Sequence, residues 1–141
     1  MRLEECFEKR LLRKIKPDMN KAKKSLEIGK KKLEEAKMAL SSNLFNSCMV
    51  MAYTAMFHAA RALLYRDGIQ EKSHTCVIIY LKENYLEKLS LSLINALDAH
   101  RIERHEALYG IEFIITKDDC ETAIEDAEIF IKKVEELLGS K

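Results

Sequence analysis

Tyr53-Thr-Ala-Met-Phe-His-Ala-Ala-Arg-Ala-Leu-Leu-Tyr65 is apolar on nearly every side, so the rest of the chain must cover it. Large apolar residues recur in this stretch at steps of three and four, and alanines fill the faces between them. That pattern is typical of a helix buried among other helices. His58 and Arg61 interrupt it one turn apart. Because a buried polar group without a partner costs roughly 1–3 kcal/mol, we expect both to reach a cleft or to bind polar neighbours.

The composition is that of one ordered, helix-rich domain. The chain has 141 residues, of which 48% are hydrophobic and 33% charged, with only four glycines and one proline. This length suits one core and not two, so we predict a single domain over residues 1–141 with its core at about 18–138. The formal net charge is +1, which excludes a global field that attracts nucleic acid or anionic lipid. Any such binding must be local.

Helical patterns fill most of the chain, so we predict an all-α fold with a short N-terminal helix. The predicted helices cover about residues 3–15, 18–40, 44–66, 75–84, 87–109 and 116–139. Pro17 should end or bend the first of them, because proline cannot continue a helix. Gly68 should close the central helix, because glycine readily adopts the left-handed conformation that follows many helices.

The connections between the helices carry capping signals. Ser73 should start the helix that follows Gly68. Thr116 and Asp119 resemble a capping box at the start of the last helix. Residues 111–115 have the composition of a strand, but a lone strand would have no partner, so we predict an extended linker that packs on the core.

The cysteines and the apolar runs bear on compartment and cofactors. The four cysteines lack Cys-x-x-Cys spacing, so we expect free, buried core residues and neither a zinc site nor a disulfide framework: Cys6, Cys48, Cys76 and Cys120. No apolar run is long enough to span a bilayer and no secretory leader is evident, so we expect a cytoplasmic protein. The histidines lack metal-ligand spacing and there is no Gly-rich phosphate loop, so we predict no metal and no cofactor.

The helix over residues 87–109 changes chemistry along one face, from apolar to basic and aromatic. Arg101, Arg104 and His105 lie within about one turn, so we expect them to converge near Tyr109 as a local positive patch. The predicted residues for nucleotide or RNA binding are Arg101, Arg104, His105, Arg61 and His58. For the last two, an internal polar pair that ties helices together is an equal alternative. We interpret His74, in the first turn of its helix, as a residue that bonds the backbone or caps.

Three segments taken together resemble the HEPN domain family. They are Tyr53-x-Ala-x-Phe-His-Ala-Ala-x-Ala-Leu-Leu64, Gly68-x-x-x-Lys-Ser-His74 and Arg101-x-x-Arg104-x-x-Ala107-x-Tyr109. The chain looks like the small stand-alone members that are usually encoded beside a minimal nucleotidyltransferase. The resemblance covers about residues 18–138. It implies an up-and-down bundle of four to five main helices, often a homodimer, and a role in prokaryotic toxin–antitoxin or defence systems.

Some members of that family are metal-independent ribonucleases, whose motif is an Arg followed, after four to six residues, by a His. Such an imidazole can move protons at an RNA 2′-hydroxyl, and the Arg can stabilise charge on the phosphate. With five residues in between, Arg101 is followed in this chain by Ala107 in place of that His. We therefore predict no catalytic residue. His105 lies one helical turn from Arg101, so a shifted site made of these two residues remains an alternative.

Tyr109 matches a second family feature. In a related branch, a Tyr two positions after the motif His receives nucleotides from the partner nucleotidyltransferase, which silences the toxin. Tyr109 lies two positions after Ala107, so the resemblance makes it a candidate for modification. The alternative interpretation is a packing residue at the end of a helix.

These observations predict a HEPN-like helical module that dimerises, pairs with a minimal nucleotidyltransferase, and binds nucleotide or RNA in a basic cleft. Two alternatives stay open. One is a metal-independent ribonuclease toxin that uses Arg101 and His105. The other is a helical assembly factor without a role in nucleic-acid binding.

Overall fold

The computed structural model describes residues 1–139 and confirms the predicted all-α class. Its elements, in chain order, are α1 (Leu3–Glu8), β1 (Leu12–Lys14), α2 (Met19–Ser41), α3 (Phe45–Asp67), β2 (Ile69–Glu71), α4 (His74–Asn84), α5 (Leu86–Leu89), α6 (Leu91–Tyr109) and α7 (Lys117–Gly139). Four of the helices are long, and the only sheet in this part of the chain is the ribbon of β1 and β2. None of the described helices combines the length and the apolar character that crossing a bilayer requires.

Helix α3 is the centre of the bundle, as its apolar sequence predicts. Helices α2, α6 and α7 all pack against it. Its buried side chains cover most of its circumference, and Tyr53, Met56 and Leu64 are almost completely enclosed. Gly68 ends the helix with φ of 81°, the left-handed conformation that glycine adopts without strain.

The α2–α3 contact depends on small residues. The buried face of α2 runs from Ala22 to Ala36, with Gly29 at its middle. A Cβ atom on Gly29 would lie only 2.9 Å from the carbonyl oxygen of Ala55. Glycine at this position therefore lets the two helix backbones approach closely.

The predicted N-terminal helix over residues 3–15 is wrong beyond Glu8. The helix ends where Arg10 takes a positive φ of 59°, and Leu12–Lys14 then pairs antiparallel with Ile69–Glu71. The partner strand comes from the turn after α3, far away in sequence. Periodicity within residues 3–15 carries no information about such a partner.

The predicted helix over residues 87–109 is divided in two. Ser90 takes a φ of 74°, which ends α5, and its side chain accepts a hydrogen bond from the backbone N–H of Leu93 to start α6. The capping box before α7 is confirmed. The backbone N–H of Thr116 donates to Asp119 Oδ2 over 2.9 Å, and the N–H of Asp119 donates to Thr116 Oγ1 over 3.1 Å.

The connection between α6 and α7 is irregular, as predicted, but only its end packs on the core. Ile115 is 3% exposed, whereas Ile111 is 96% and Ile114 79% exposed. The expectation that the whole segment lies on the core is therefore corrected. The side chains of Ile111 and Ile114 are exposed instead.

The prediction of free cysteines is wrong for one pair. Cys6 and Cys76 form a disulfide that joins α1 to α4, across 70 residues of sequence. Cys48 and Cys120 are free and buried, as expected. Because the bonded pair is brought together only by tertiary folding, the absence of a spacing motif gave no sign of it.

Candidate functional site

Three arginines from two helices surround the first residue of α4. Arg61 comes from α3, and Arg101 and Arg104 come from α6; the positive charges of all three act on the imidazole of His74. The α3 side chains that stack with His74 are aromatic, namely those of Tyr53 and Phe57. We use the name arginine cluster for Arg61, Arg101, Arg104, Tyr53, Phe57 and His74.

The aromatic residues hold the His74 ring in one orientation. Tyr53 and Phe57 are four residues apart on α3 and so present their rings on one face. The Phe57 and His74 rings are stacked, with centroids 4.0 Å apart and an interplanar angle of 9°. The Tyr53 hydroxyl lies 2.5 Å from His74 Nδ1. Ser73 accepts a hydrogen bond from the backbone N–H of Cys76, which fixes the start of α4 and with it the position of His74.

The surroundings of His74 keep it neutral. Burial, followed by the positive charges of Arg104, Arg61 and Arg101, lowers the pKa of His74 to about 4. Burial raises the pKa of Tyr53, so that hydroxyl keeps its proton at pH 7. Within residues 1–139, the hydrogen-bond partner of the Tyr53 hydroxyl is His74 Nδ1. Because the hydroxyl keeps its proton, we assign Tyr53 as the donor and His74 Nδ1 as the acceptor. The proton of the neutral His74 ring is then on Nε2.

His74 Nε2 is accessible to solvent. Within residues 1–139, Nδ1 of His58 is the only buried side-chain nitrogen or oxygen without a hydrogen-bond partner. An Nε2 atom of His74 that has no partner is therefore not buried. The hydrogen bond of His74 is made by its Nδ1, so its half-buried ring presents the Nε2–H to the exterior. The cluster therefore offers this N–H donor together with the donors of its guanidinium groups.

The three arginines differ in how their charges are balanced. Arg61 Nε donates to Glu71 Oε1 over 2.6 Å, and Arg101 Nε donates to Asp98 Oδ1 over 2.9 Å. The Arg104 guanidinium lies over the Tyr53 ring, 5.9 Å from its centroid. No carboxylate in the described part of the chain lies within 4.0 Å of it, so Arg104 carries the uncompensated positive charge of the cluster.

This arrangement is suited to binding an oxyanion. Guanidinium groups bind phosphate oxygens through paired N–H donors, and the N–H of a neutral imidazole adds a further donor. An imidazole that is protonated on its accessible nitrogen does not accept a proton there, so His74 is not placed to act as a general base. The chemistry of the cluster is that of a binding site.

The remaining predicted residues of α6 lie outside the cluster. His105 and Tyr109 are exposed, and their ring centroids are 5.0 Å apart. The expected convergence of the two arginines on Tyr109 is not found for Arg104, which lies over Tyr53 instead. Consecutive residues of a helix point about 100° apart, so Arg104 and His105 necessarily face different surroundings. Ala107 is half-buried against the core.

His58 does not share the cleft of Arg101 and Arg104. It faces α2, where Ser25 Oγ donates to its backbone carbonyl over 2.8 Å. Burial, followed by the charges of Arg61 and Lys32, lowers the pKa of His58. Arg61 is the residue of this pair that joins the arginine cluster, whereas His58 lies on the α2 side of α3 and not beside Arg101 and Arg104.

Two histidines have roles that the sequence alone did not indicate. The expected capping or backbone-bonding role of His74 is not found, because Ser73 is the cap and the His74 ring bonds Tyr53. Its place in the Gly68–His74 segment, in a first helical turn, is the sequence signal for an oriented side chain. His100 is buried, with Nδ1 2.6 Å from Glu103 and Nε2 2.7 Å from Asp126, and so ties α6 to α7. No group of three side chains suited to a metal ion occurs in residues 1–139.

Comparison with known proteins agrees with this fold. The model of the HEPN domain family matches residues 22–137, and the chain therefore belongs to the HEPN family. A "UPF0332 protein" of Archaeoglobus fulgidus is 38% identical over 109 residues, which are 73% of this chain and 83% of that protein.

Two further relatives come from Methanocaldococcus jannaschii. "Putative toxin MJ0605" is 28% identical over 118 residues, which cover 80% of this chain and 85% of that protein. "Putative toxin MJ0142" is 28% identical over 120 residues, covering 84% of this chain and 82% of that protein. The family and these names support a toxin-like HEPN module.

Proposed function

We propose that this protein is the HEPN module of a prokaryotic toxin–antitoxin or defence system, that it pairs with a minimal nucleotidyltransferase, and that it binds the phosphates of nucleotide or RNA at the arginine cluster. In this proposal the module acts as a cytoplasmic homodimer. The names of the two relatives from M. jannaschii support the toxin-like class.

One observation carries the ligand class. Arg104 has no carboxylate within 4.0 Å among the described residues, and it lies beside an imidazole whose accessible nitrogen is a donor. Placing an unpaired guanidinium next to two other arginines is unfavourable unless an anion joins them. A phosphate group supplies that anion with oxygens for several donors at once.

The proposed partner gives a role to the exposed end of α6. Tyr109 is 68% exposed, so its hydroxyl is accessible to an enzyme that transfers nucleotides. An adjacent gene for a small nucleotidyltransferase with a Gly-Ser and paired-Asp signature would support this part of the proposal. Its absence from the gene neighbourhood would count against the pairing and leave the phosphate site untouched.

A cleavage assay without metal separates the proposed module from a ribonuclease. We predict that the purified protein, with EDTA present, binds single-stranded RNA but leaves it intact, because Ala107 replaces the motif His and His74 offers no general base. The His105→Ala variant should behave as the parent does. If His105 were a general acid or base, its loss would slow cleavage roughly 10²–10⁴-fold. Robust cleavage by the parent that disappears in His105→Ala would overturn the proposal in favour of a ribonuclease.

A further inference from the structure

A second basic pocket borders Arg61 and lies on the α2 side of α3. It is a small concavity of about 180 Å³. Its walls are formed by Lys21, Lys24 and Ile28 of α2 and by His58, Arg61 and Tyr65 of α3. Arg61 thus belongs both to this pocket and to the arginine cluster, which makes the two sites neighbours.

The pocket is positively charged and has no acidic residue in its lining. The Nζ atom of Lys21 lies over the Tyr65 ring, 5.7 Å from its centroid. Neither Lys21 nor Lys24 has a carboxylate within 4.0 Å of its ammonium group in residues 1–139. Of the acidic residues nearby in sequence, Asp18 accepts a hydrogen bond from the backbone N–H of Lys21 and Glu27 pairs with Lys30.

His58 supplies a second, independent observation. Its Nδ1 is buried and has no hydrogen-bond partner within residues 1–139. Such an atom costs roughly 1–3 kcal/mol, and native structures seldom leave one unsatisfied. His58 lines this pocket, and because Nδ1 is closed to solvent in the unliganded protein, the ring must turn for an oxygen of a ligand seated there to supply the missing partner.

We propose that this pocket is a second phosphate subsite, and that a single strand of RNA runs from the arginine cluster over Arg61 into it. The inference rests on the proposed function and specifies its ligand as a chain of nucleotides. Pockets that enclose a whole small ligand measure about 300–1,000 Å³, so a pocket of about 180 Å³ suits a phosphate with part of its ribose. The Tyr65 ring offers an aromatic surface for the adjoining base.

Ligand length is the variable that tests this path. Adenosine monophosphate and a ten-nucleotide oligouridylate are titrated, at several salt concentrations, into the parent protein and into the double variant Lys21→Ala/Lys24→Ala. We expect the variant to bind the mononucleotide as the parent does and to bind the oligonucleotide more weakly. The slope of log K against log salt for the oligonucleotide should fall by about 0.7, since the pocket holds one phosphate and each contact to a single-strand phosphate contributes about 0.7.

A matched control removes two lysines elsewhere. Lys82→Ala/Lys88→Ala makes the same change in net charge on exposed residues of α4 and α5, and we expect it to bind both ligands as the parent does. In a complementary measurement, the imidazole resonances of His58 should shift when the oligonucleotide is added and stay in place when the mononucleotide is added.

The outcomes separate the path from the proposed function. If Lys21→Ala/Lys24→Ala matches the control while Arg101→Ala/Arg104→Ala loses both ligands, the second subsite is overturned and the arginine cluster stands. If Arg101→Ala/Arg104→Ala binds both ligands as tightly as the parent, the proposed function itself fails. His58 resonances that do not respond to the oligonucleotide would also overturn the path.

Discussion

The position of His74 is set by local structure, and its chemical state is set by tertiary contacts. Its place in the chain puts it in the first turn of α4, where Ser73 is the cap. Its neighbours, Tyr53, Phe57 and the three arginines, come from two other helices. Those neighbours fix its tautomer and keep it neutral, which makes it a donor for an anion.

The neutral state of His74 links stability to pH. Its pKa in the folded protein is about 4, below the 6.5 of an unperturbed imidazole. The unfolded chain therefore binds a proton that the folded one does not, so this contribution to stability is complete above pH 6.5 and is lost as the pH falls toward 4. We predict that the free energy of unfolding of the parent, measured with urea, falls as the pH is lowered from 6.5 to 4. The same free energy should fall less steeply in the His74→Asn variant.

His58 contributes in the same direction, because its pKa is lowered too. The free energy of unfolding of the double variant His58→Asn/His74→Asn should therefore depend less on pH than that of either single variant. Parallel curves for the parent and His74→Asn would mean that His74 is not held neutral by the cluster.

Sequence alone could identify the basic residues of the site but not their partners. Arg61, Arg101 and Arg104 stand out on helix faces, whereas the hydrogen bond between Tyr53 and His74 joins residues 21 positions apart on separate helices. The direction of a long side chain depends on what the neighbouring helix offers. For Arg104 that is the Tyr53 ring and not the exposed Tyr109.

At the scale of elements, the pairing of α2 with α3 depends on the absence of a side chain at Gly29. Alanine is a better helix former than glycine by about 1 kcal/mol, so propensity alone favours Gly29→Ala. The new Cβ would, however, lie 2.9 Å from the Ala55 carbonyl oxygen, and a backbone atom cannot move aside as a flexible side chain does. Overpacking of this kind costs roughly 1–3 kcal/mol.

We predict that Gly29→Ala lowers the free energy of unfolding, measured by chemical denaturation. Gly139→Ala is the matched control, because a Cβ atom there meets no heavy atom within 4 Å. The control should unfold at the same denaturant concentration as the parent or a slightly higher one. A Gly29→Ala variant that is more stable than the parent would show that the two helices separate without cost.

The long helices were predictable because the burial pattern of each one can be derived from its own residues. Helices α2 and α7 each carry an apolar stripe, and α3 is apolar around most of its circumference. The elements that were missed depend on something outside their own segment. Strand β1 needs β2 as its partner, and the break at Ser90 depends on a single residue with positive φ inside a favourable helical pattern.

At the scale of the whole molecule, an apolar surface remains uncovered around the end of α6. Its exposed side chains are Ile102, Leu108, Tyr109, Ile111, Phe113 and Ile114. Exposed apolar side chains concentrated in one segment point to an interaction site. The occupant that we propose for this surface is a second copy of the chain, since the resemblance to HEPN proteins implies a homodimer and a twofold interface uses the same surface on both partners.

We predict that the protein sediments as a dimer at micromolar concentration, with a total buried area on the order of 1,200 Å² or more. Ile111→Glu/Ile114→Glu should give a folded monomer, because both side chains are exposed in the single chain. Met38→Glu/Ile129→Glu introduces the same charges at exposed sites on α2 and α7 and should remain dimeric. A parent protein that sediments as a monomer across this range would refute the dimer.

The most direct test of the phosphate site is the salt dependence of single-stranded RNA binding by the parent and by Arg104→Ala, with Lys82→Ala as the control for charge. Arg104 carries the uncompensated charge of the cluster, so its loss should weaken binding and lower the slope of log K against log salt by about 0.7. Arg101→Ala should have a smaller effect, because Asp98 already pairs with Arg101. Equal affinities and equal slopes for the parent, Arg104→Ala and Lys82→Ala would contradict a phosphate site at the arginine cluster.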